Sequence, residues 1–217
     1  MLNSEILNAA IWRFAIKTFD AERKISDEDF TTLLEIARYS PSSFGLEPWN
    51  IIVVNDKSLR AKISEYASGA HSQLATASHF IIFTVPTDLE ATSEYFKHIN
   101  FDIKKLDSDN YSAFIARFTA FQTEKLDITD FRKRIDWAAK QAYIALANMV
   151  LASAIMGIDS CPIEGFIPSA VEGVLKERGF IQPESEHIVV MAAFGYRNTD
   201  FERAKTRRPL NEVIRYI

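Results

Sequence analysis

FRKRIDWAAKQAYIALANMVLASAIM, residues 131–156, contains no proline or glycine and runs straight into GIDSCPIEGF, residues 157–166. Uninterrupted helical spacing predicts one long helix, about 39 Å at 1.5 Å per residue. Its first half is amphipathic and its second half is apolar nearly all round, the pattern of a helix buried on every side. A short strand over Ile158–Cys161 follows and leads into the turn Pro162–Gly165. Working outward, the runs Ile51–Val54, Phe80–Val85 and Ile188–Phe194 read as buried strands. Helical spacing covers Ser4 to about Phe19, with Leu7, Ala10, Ile11 and Phe14 on one face. Ser26 opens a second helix, with Asp29 completing an approximate capping box, and Pro41 stops it. Leu59, Ile63 and Tyr66 mark another helix, and one from Ser169 ends at Gly179. The mixture of helices and strands predicts a single α/β or α+β domain over residues 1–217. Within it, the irregular, Phe-rich stretch 88–128 suits a helical lid. The polar, basic tail 196–217 ends in VIRYI, which suits pairing at a sheet edge and a dimerisation arm.

Composition removes several classes of function. With 47% hydrophobic and 25% charged residues the chain is an ordinary globular one. A balance of 25 basic against 29 acidic residues gives no reason to expect nucleic acid as a partner. The single Cys161 makes neither an intrachain disulfide nor a cysteine-based zinc site, which points to a reducing compartment. No basic residue precedes Arg13, so a signal peptide is not expected. The apolar stretch Ala142–Gly157 falls short of the roughly 20 residues of a membrane helix. A cytoplasmic protein without a membrane partner is the expectation.

Seven glycines leave little material for a phosphate loop, and G-x-G-x-x-G, a P-loop and G-x-S-x-G are all missing. The histidines, His71, His79, His98 and His187, show no H-x-x-x-H pairing, so no metal site is expected. Basic residues are more telling. Arg13 and Lys17 stand four apart, on one face of the first helix, while Arg203, Lys205 and Arg207 alternate and share one side if extended. They are either solvated charge or two clusters converging on a phosphate. Ser42 and Ser43, bracketed by Pro41 and Pro48, and the turn Pro162–Ile163–Glu164–Gly165 are either common turns or ligand loops, with Gly165 allowing close backbone approach. Phe118 and Phe121 either stack on a substrate or pack helices.

Together these pieces resemble the FMN-dependent NAD(P)H nitroreductases, closest to the enterobacterial oxygen-insensitive type. The landmarks run nearly end to end: R-F-A-I-K-T-F at Arg13–Phe19, Y-S-P-S-S at Tyr39–Ser43 with P-W at Pro48–Trp49, and A-S-H-F-I-I-F at Ala77–Phe83. D-W-A-A-K-Q-A-Y at Asp136–Tyr143, G-I-D-S-C-P-I-E-G-F at Gly157–Phe166 and K-T-R-R-P at Lys205–Pro209 follow. The resemblance implies an α+β fold, a central mixed sheet flanked by helices, and an interlocked homodimer with FMN at the interface. It implies a flavoenzyme that takes hydride from NADH or NADPH and passes electrons to nitroaromatics or quinones in a ping-pong cycle. Relatives acting on an enone, a dihydropteridine or a halogenated phenol would look much the same, and a flavin-binding scaffold without turnover stays open.

The resemblance also assigns residues. Arg13, Lys205 and Arg207 would hold the FMN phosphate, Lys17 would reach the pyrimidine end of the ring, and Ser42 and Ser43 would come from the other subunit. Pro162, Ile163, Glu164 and Gly165 would lie against the isoalloxazine, with a backbone N–H near the nitrogen that accepts hydride. No acid–base residue is implied, because the flavin carries the chemistry. Departures fall at Phe14 and Ala15, where His and Ser are common, at Gly45 for Asn, at Glu47 for Gln, and at Gln73 for Lys. Loss of the charge at Gln73 implies a reduced flavin less stabilised as its anion.

Overall fold

In the computed structural model, which describes residues 3–182, 184–199 and 204–217, helices α1 (Asn3–Trp12) and α2 (Asp27–Arg38) precede strand β1 (Asn50–Val53). Helices α3 (Lys57–Ser64) and α4 (His71–Thr76) lead to β2 (His79–Pro86), then α5 (Glu94–Lys97) and α6 (Ser108–Ala120). The long helix α7 (Phe131–Ile155), β3 (Asp159–Ile163), α8 (Pro168–Glu177), β4 (Glu186–Gly195) and a short α9 (Leu210–Val213) complete the order. Ser26 caps α2 as expected, its hydroxyl accepting from the Asp29 N–H at 3.1 Å.

The strands form one sheet in the order β1-β2-β4-β3, and each of its three ladders is antiparallel. The expectation of a mixed sheet is therefore corrected. A single parallel bridge, Ala15 to Ser160, lies outside the named strands. Two hydrophobic cores lie on the two faces of the sheet. On one, Ile81, Phe83, Val190 and Ala192 pack under α2 and α7. On the other, Phe80, Ile82, Met191 and Ala193 pack with residues of α3, α4 and α8. This is the period-two alternation of strands buried on both sides.

Three expectations about elements need correction. The first helix ends at Trp12, and the chain then runs on as residues 13–16 before bending at 17–18, tied by the Ala15–Ser160 and Phe19–Arg197 bridges. Its apolar face is not packed within the chain: Leu7 is 61% and Ile11 53% exposed. The long helix is not buried on every side either, since Ile144, Leu151 and Ile155 are exposed. By length and composition alone it could cross a membrane, contrary to the shorter estimate, but half of its apolar window is buried inside the fold. Finally, VIRYI is not extended from its first residue, since Val213 belongs to α9.

The stretch 88–128 contains α5, α6 and two π-helical turns, His98–Ile103 and Phe121–Lys125. Phe96, Ile99, Phe118 and Ile128 from this stretch are buried in the same core as α7 and the sheet. Much of it is thus built into the core. Phe118 is 0% exposed and packs against Phe44, Phe96, Phe121 and Trp137. No face of its ring is open to a substrate, which corrects the stacking role expected of it. Phe121 is half-buried in the same cluster.

His79, at the start of β2, stacks on Phe30 with ring centroids 3.7 Å apart. Burial, then the charge of Arg60, pushes its pKa below the ordinary value. A histidine that binds its proton more weakly folded than unfolded leaves the stability intact above about pH 6.5 and erodes it as the pH falls towards the folded value. The urea midpoint of wild type is expected to drop between pH 7 and pH 5 more steeply than that of His79→Phe. Parallel pH profiles would contradict this assignment.

Candidate functional site

The site begins with an ion pair. After Gly157 turns the chain out of α7 at φ +70°, Asp159 opens β3 and meets Arg197, just past the end of β4. The carboxylate accepts from Arg197 Nη2 at 2.6 Å, from Nε at 3.0 Å and from the Arg197 backbone N–H at 2.8 Å. Their side chains are 2% and 13% exposed. The same guanidinium lies 4.1 Å from the Trp12 ring centroid and donates to the Trp12 carbonyl at 3.4 Å. The pair thus pins the end of α1 against the sheet edge. The following residues run extended along β3, with Ile16 N–H donating to the Ser160 carbonyl at 3.3 Å. Gly195 is required on the far side: a Cβ there would meet the Phe19 ring at 2.9 Å.

Extension changes the reading of Arg13 and Lys17. They do not share a helix face. They alternate with Phe14 and buried Ile16 along an extended segment, so Arg13, Ala15 and Lys17 lie on one side over about 13 Å. At one end Arg13 joins Lys205 and Arg207 around a cleft of about 430 Å³, floored by Ala147, Val150 and Leu151 of α7. Lys205 Nζ donates to the Ala10 carbonyl at 2.7 Å and stands 5.1 Å from the Phe14 ring centroid. Its pKa is lowered by partial burial and then by the charges of Arg13 and Arg207. Three crowded cations at one cleft are a donor set suited to a phosphate. Arg203, expected beside them, lies outside the described residues.

The other end is a chain of contacts. Lys17 Nζ and Gln73 Nε2 each lie 3.7 Å from the buried Cys161 Sγ, and Gln73 donates to the Gly69 carbonyl at 3.1 Å. Gly69 N–H then donates to the Gly165 carbonyl at 3.3 Å. The two glycines let these backbones pack closely: a Cβ on Gly165 would sit 3.5 Å from the Gly69 Cα. Gln73 is buried, so its amide serves this network and brings no charge. β3 extends further than expected, through Pro162 and Ile163. Pro162 is tolerated because β3 is an edge strand. The Ile163 side chain is buried in the core, so only its backbone is available to a ligand. Glu164 is exposed, and its carboxylate accepts from Tyr143 OH at 2.5 Å. Burial, reinforced by this bond, pushes the Tyr143 phenol up.

Ser42, Ser43 and Gly45 form a third group. Ser43–Gly45 is a short 3₁₀ turn in which Phe44 and Gly45 have φ near +58° and +57°, and Glu47 follows at +49°. Ser42 Oγ accepts from the Glu47 N–H at 2.9 Å, and Ser43 N–H donates to Gln141 Oε1 of α7 at 2.9 Å. Asp159, Arg197, Gly69 and Gln141 were not singled out in the sequence. A lone Asp, Arg or Gly carries no periodic signal, and their partners are distant in the chain. Among the described residues no group of acidic, histidine or cysteine side chains suits a metal ion.

These features define an α+β protein in which three cations line a cleft at one end of an extended segment and a close Gly69–Gly165 contact lies beyond its other end. The model of the nitroreductase family matches residues 10–196, and the chain belongs to that family. It is 43% identical over 217 residues, covering 100% of this chain and 98% of the relative, to a Staphylococcus epidermidis protein provisionally named an NAD(P)H nitroreductase. Two solved structures share the fold. One is an FMN complex of a provisionally named nitroreductase from Exiguobacterium sibiricum 255-15, with TM-score 0.74 and 18% identity over 100% of this chain and 98% of that one. The other is an enone reductase of gut-bacterial fatty acid saturation, with TM-score 0.78 and 15% identity over the whole of both chains.

Replacing Asp159 with Ala leaves the Arg197 guanidinium buried without its carboxylate. A loss of about 3–5 kcal/mol of unfolding free energy is expected by urea denaturation. A loss under about 1 kcal/mol would show that the pair does not organise this edge.

Proposed function

We propose that this protein is an FMN-dependent oxidoreductase that uses NADH or NADPH to reduce a small-molecule acceptor, with nitroaromatics and quinones as the acceptor class. The observation that carries the reading is the convergence of Arg13, Lys205 and Arg207 on one cleft in a chain of the nitroreductase family. The net reaction converts NAD(P)H, a proton and the acceptor into NAD(P)+ and the two-electron-reduced acceptor, with the two substrates entering in turn. When bound, FMN supplies the redox chemistry. The protein supplies binding, orientation and charge.

Arg13, Lys205 and Arg207 neutralise the phosphate, with Phe14 shielding Lys205 from the side. Ala15, lacking a hydroxyl, leaves that task to the three cations. Lys17 places a positive charge at the ring end, where negative charge is favoured on reduction. The backbone of Pro162–Gly165 meets the ring, and Tyr143 holds the Glu164 carboxylate aside so that its backbone N–H is the group presented. We infer a homodimer, since α1 and α7 expose the apolar stripe of Leu7, Ile11, Ile144, Leu151 and Ile155. Ser42, Ser43 and Gly45 then serve the partner's cofactor, and Phe121, at the rim of the aromatic cluster, is the residue left to touch substrate. Residues 1–217 act as one cytoplasmic catalytic domain. Kinship to the enterobacterial oxygen-insensitive type is part of this reading, supported by the motifs at 157–166 and 205–209. The shared fold of the enone reductase favours an activated carbon–carbon double bond as the second acceptor class.

Purified protein is expected to be yellow and to bleach rapidly on anaerobic addition of NADH or NADPH. A colourless protein that takes up no FMN would sink the proposal. Retention without bleaching would favour a flavin-binding scaffold. Lys205→Ala or Arg207→Ala is expected to weaken FMN retention in equilibrium dialysis by about 1.5–3 kcal/mol per charged hydrogen bond lost.

A further inference from the structure

The loop that carries Ser42 and Ser43 is held in an unfavourable shape by side chains from another segment. Phe44 and Glu47 adopt left-handed backbone conformations at φ 58° and 49°, which side chains disfavour. Three carbonyls of the loop are captured. Lys104 Nζ donates to the Phe44 carbonyl at 2.7 Å, and Tyr95 OH approaches the carbonyls of Leu46 at 3.1 Å and Glu47 at 2.6 Å. Lys104 is itself anchored on Asn100 Oδ1 at 2.9 Å. Asn100 is fully buried, with its amide donating to the Phe96 carbonyl.

Space around the ammonium is specified too. A Cβ on Gly45 would sit 3.5 Å from Lys104 Nζ, and the Phe114 ring centroid lies 5.2 Å from it. The Phe44 ring closes the arrangement, packing against Phe114, Phe118 and Phe121 at 5.6, 5.1 and 4.8 Å. A hydrogen-bond relay runs from this brace to the serines. Tyr95 holds the Glu47 carbonyl, and the Glu47 N–H is donated to Ser42 Oγ, which leaves the Ser42 hydroxyl hydrogen to point at a ligand.

We propose that Lys104, assisted by Tyr95, is a positioning residue for flavin binding: it fixes the strained Ser42–Glu47 loop so that Ser42 and Ser43 face the cofactor. The inference rests on the FMN reading given above. It makes the 94–104 segment a brace rather than a moving lid, and it couples the aromatic core to cofactor affinity.

The test is FMN titration of the full-length apoprotein, followed by flavin fluorescence, for wild type, Lys104→Met, Tyr95→Phe and Lys104→Cys. The Lys104→Cys protein is measured before and after alkylation with 2-bromoethylamine, which rebuilds a lysine-like amine; the native Cys161 is buried. Lys104→Met is expected to raise the FMN Kd by about tenfold or more, as loss of a charged hydrogen bond demands. Tyr95→Phe is expected to raise it by about threefold. Alkylation of Lys104→Cys is expected to restore binding to within about twofold of wild type. A merely structural lysine would lower the unfolding midpoint and leave the Kd unmoved well below that midpoint. Wild-type affinity in Lys104→Met and Tyr95→Phe, or no recovery on alkylation, would overturn the proposal while leaving FMN binding intact. If Lys104→Met does not fold, Tyr95→Phe and the alkylated protein decide. A wild type that binds no FMN would overturn both readings together.

Discussion

The Asp159 carboxylate and the Arg197 guanidinium are buried together where β3 begins and β4 ends, and the layout of the site follows from where they sit. Removing two charges from water is costly unless both are fully hydrogen-bonded, and this pair meets that demand with three bonds to Asp159 at 2.6–3.0 Å. Trp12 packs its ring on the guanidinium and accepts from Nη2 through its carbonyl. Helix α1 is thereby stopped at the sheet edge, and the chain must continue as an extended segment beside β3. An extended segment puts alternate residues on one side, so Arg13 reaches the anion cleft while Lys17 reaches Cys161. A helix over the same residues would have spanned less than half that distance.

Nearer the start of α7, a second constraint governs the Ser42–Glu47 loop. There, strain in the backbone is balanced by Lys104, Tyr95 and Gln141. The two constraints have different physics. One is an ion pair bridging strand ends, and the other is a set of carbonyls pinned by half-buried donors. Both constraints bear on backbone that lies against α7 as a common wall.

Much of this was legible in the sequence because its elements are strongly periodic. The long helix, β2, β4 and the Ser26 cap follow from spacing and β-branched runs. The pairing of Arg13 with Lys17 rests in the sequence on a partly mistaken reason. A separation of four is close to one helical turn and is also an even number of strand steps, so Arg13 and Lys17 share a side under either conformation. Sequence spacing therefore identified the pair while misplacing the helix end, which is set by Arg197 far along the chain. Phe118 was misjudged because an aromatic at helical spacing looks the same whether it faces a ligand or a core. The brace on the serine loop was invisible, since it depends on left-handed residues and on partners about 50 to 60 positions away.

On the proposed reading, side-chain cations, in place of a glycine-rich loop, recognise a phosphate on an otherwise uncharged ligand. Riboflavin is FMN without that phosphate, so comparing the two in one titration of the apoprotein isolates the contribution of the cleft. With Arg13, Lys205 and Arg207 acting together, FMN is expected to bind at least about a hundredfold more tightly than riboflavin at low salt, with the difference shrinking as salt rises. Equal affinity for FMN and riboflavin would show that the three cations do not recognise the phosphate.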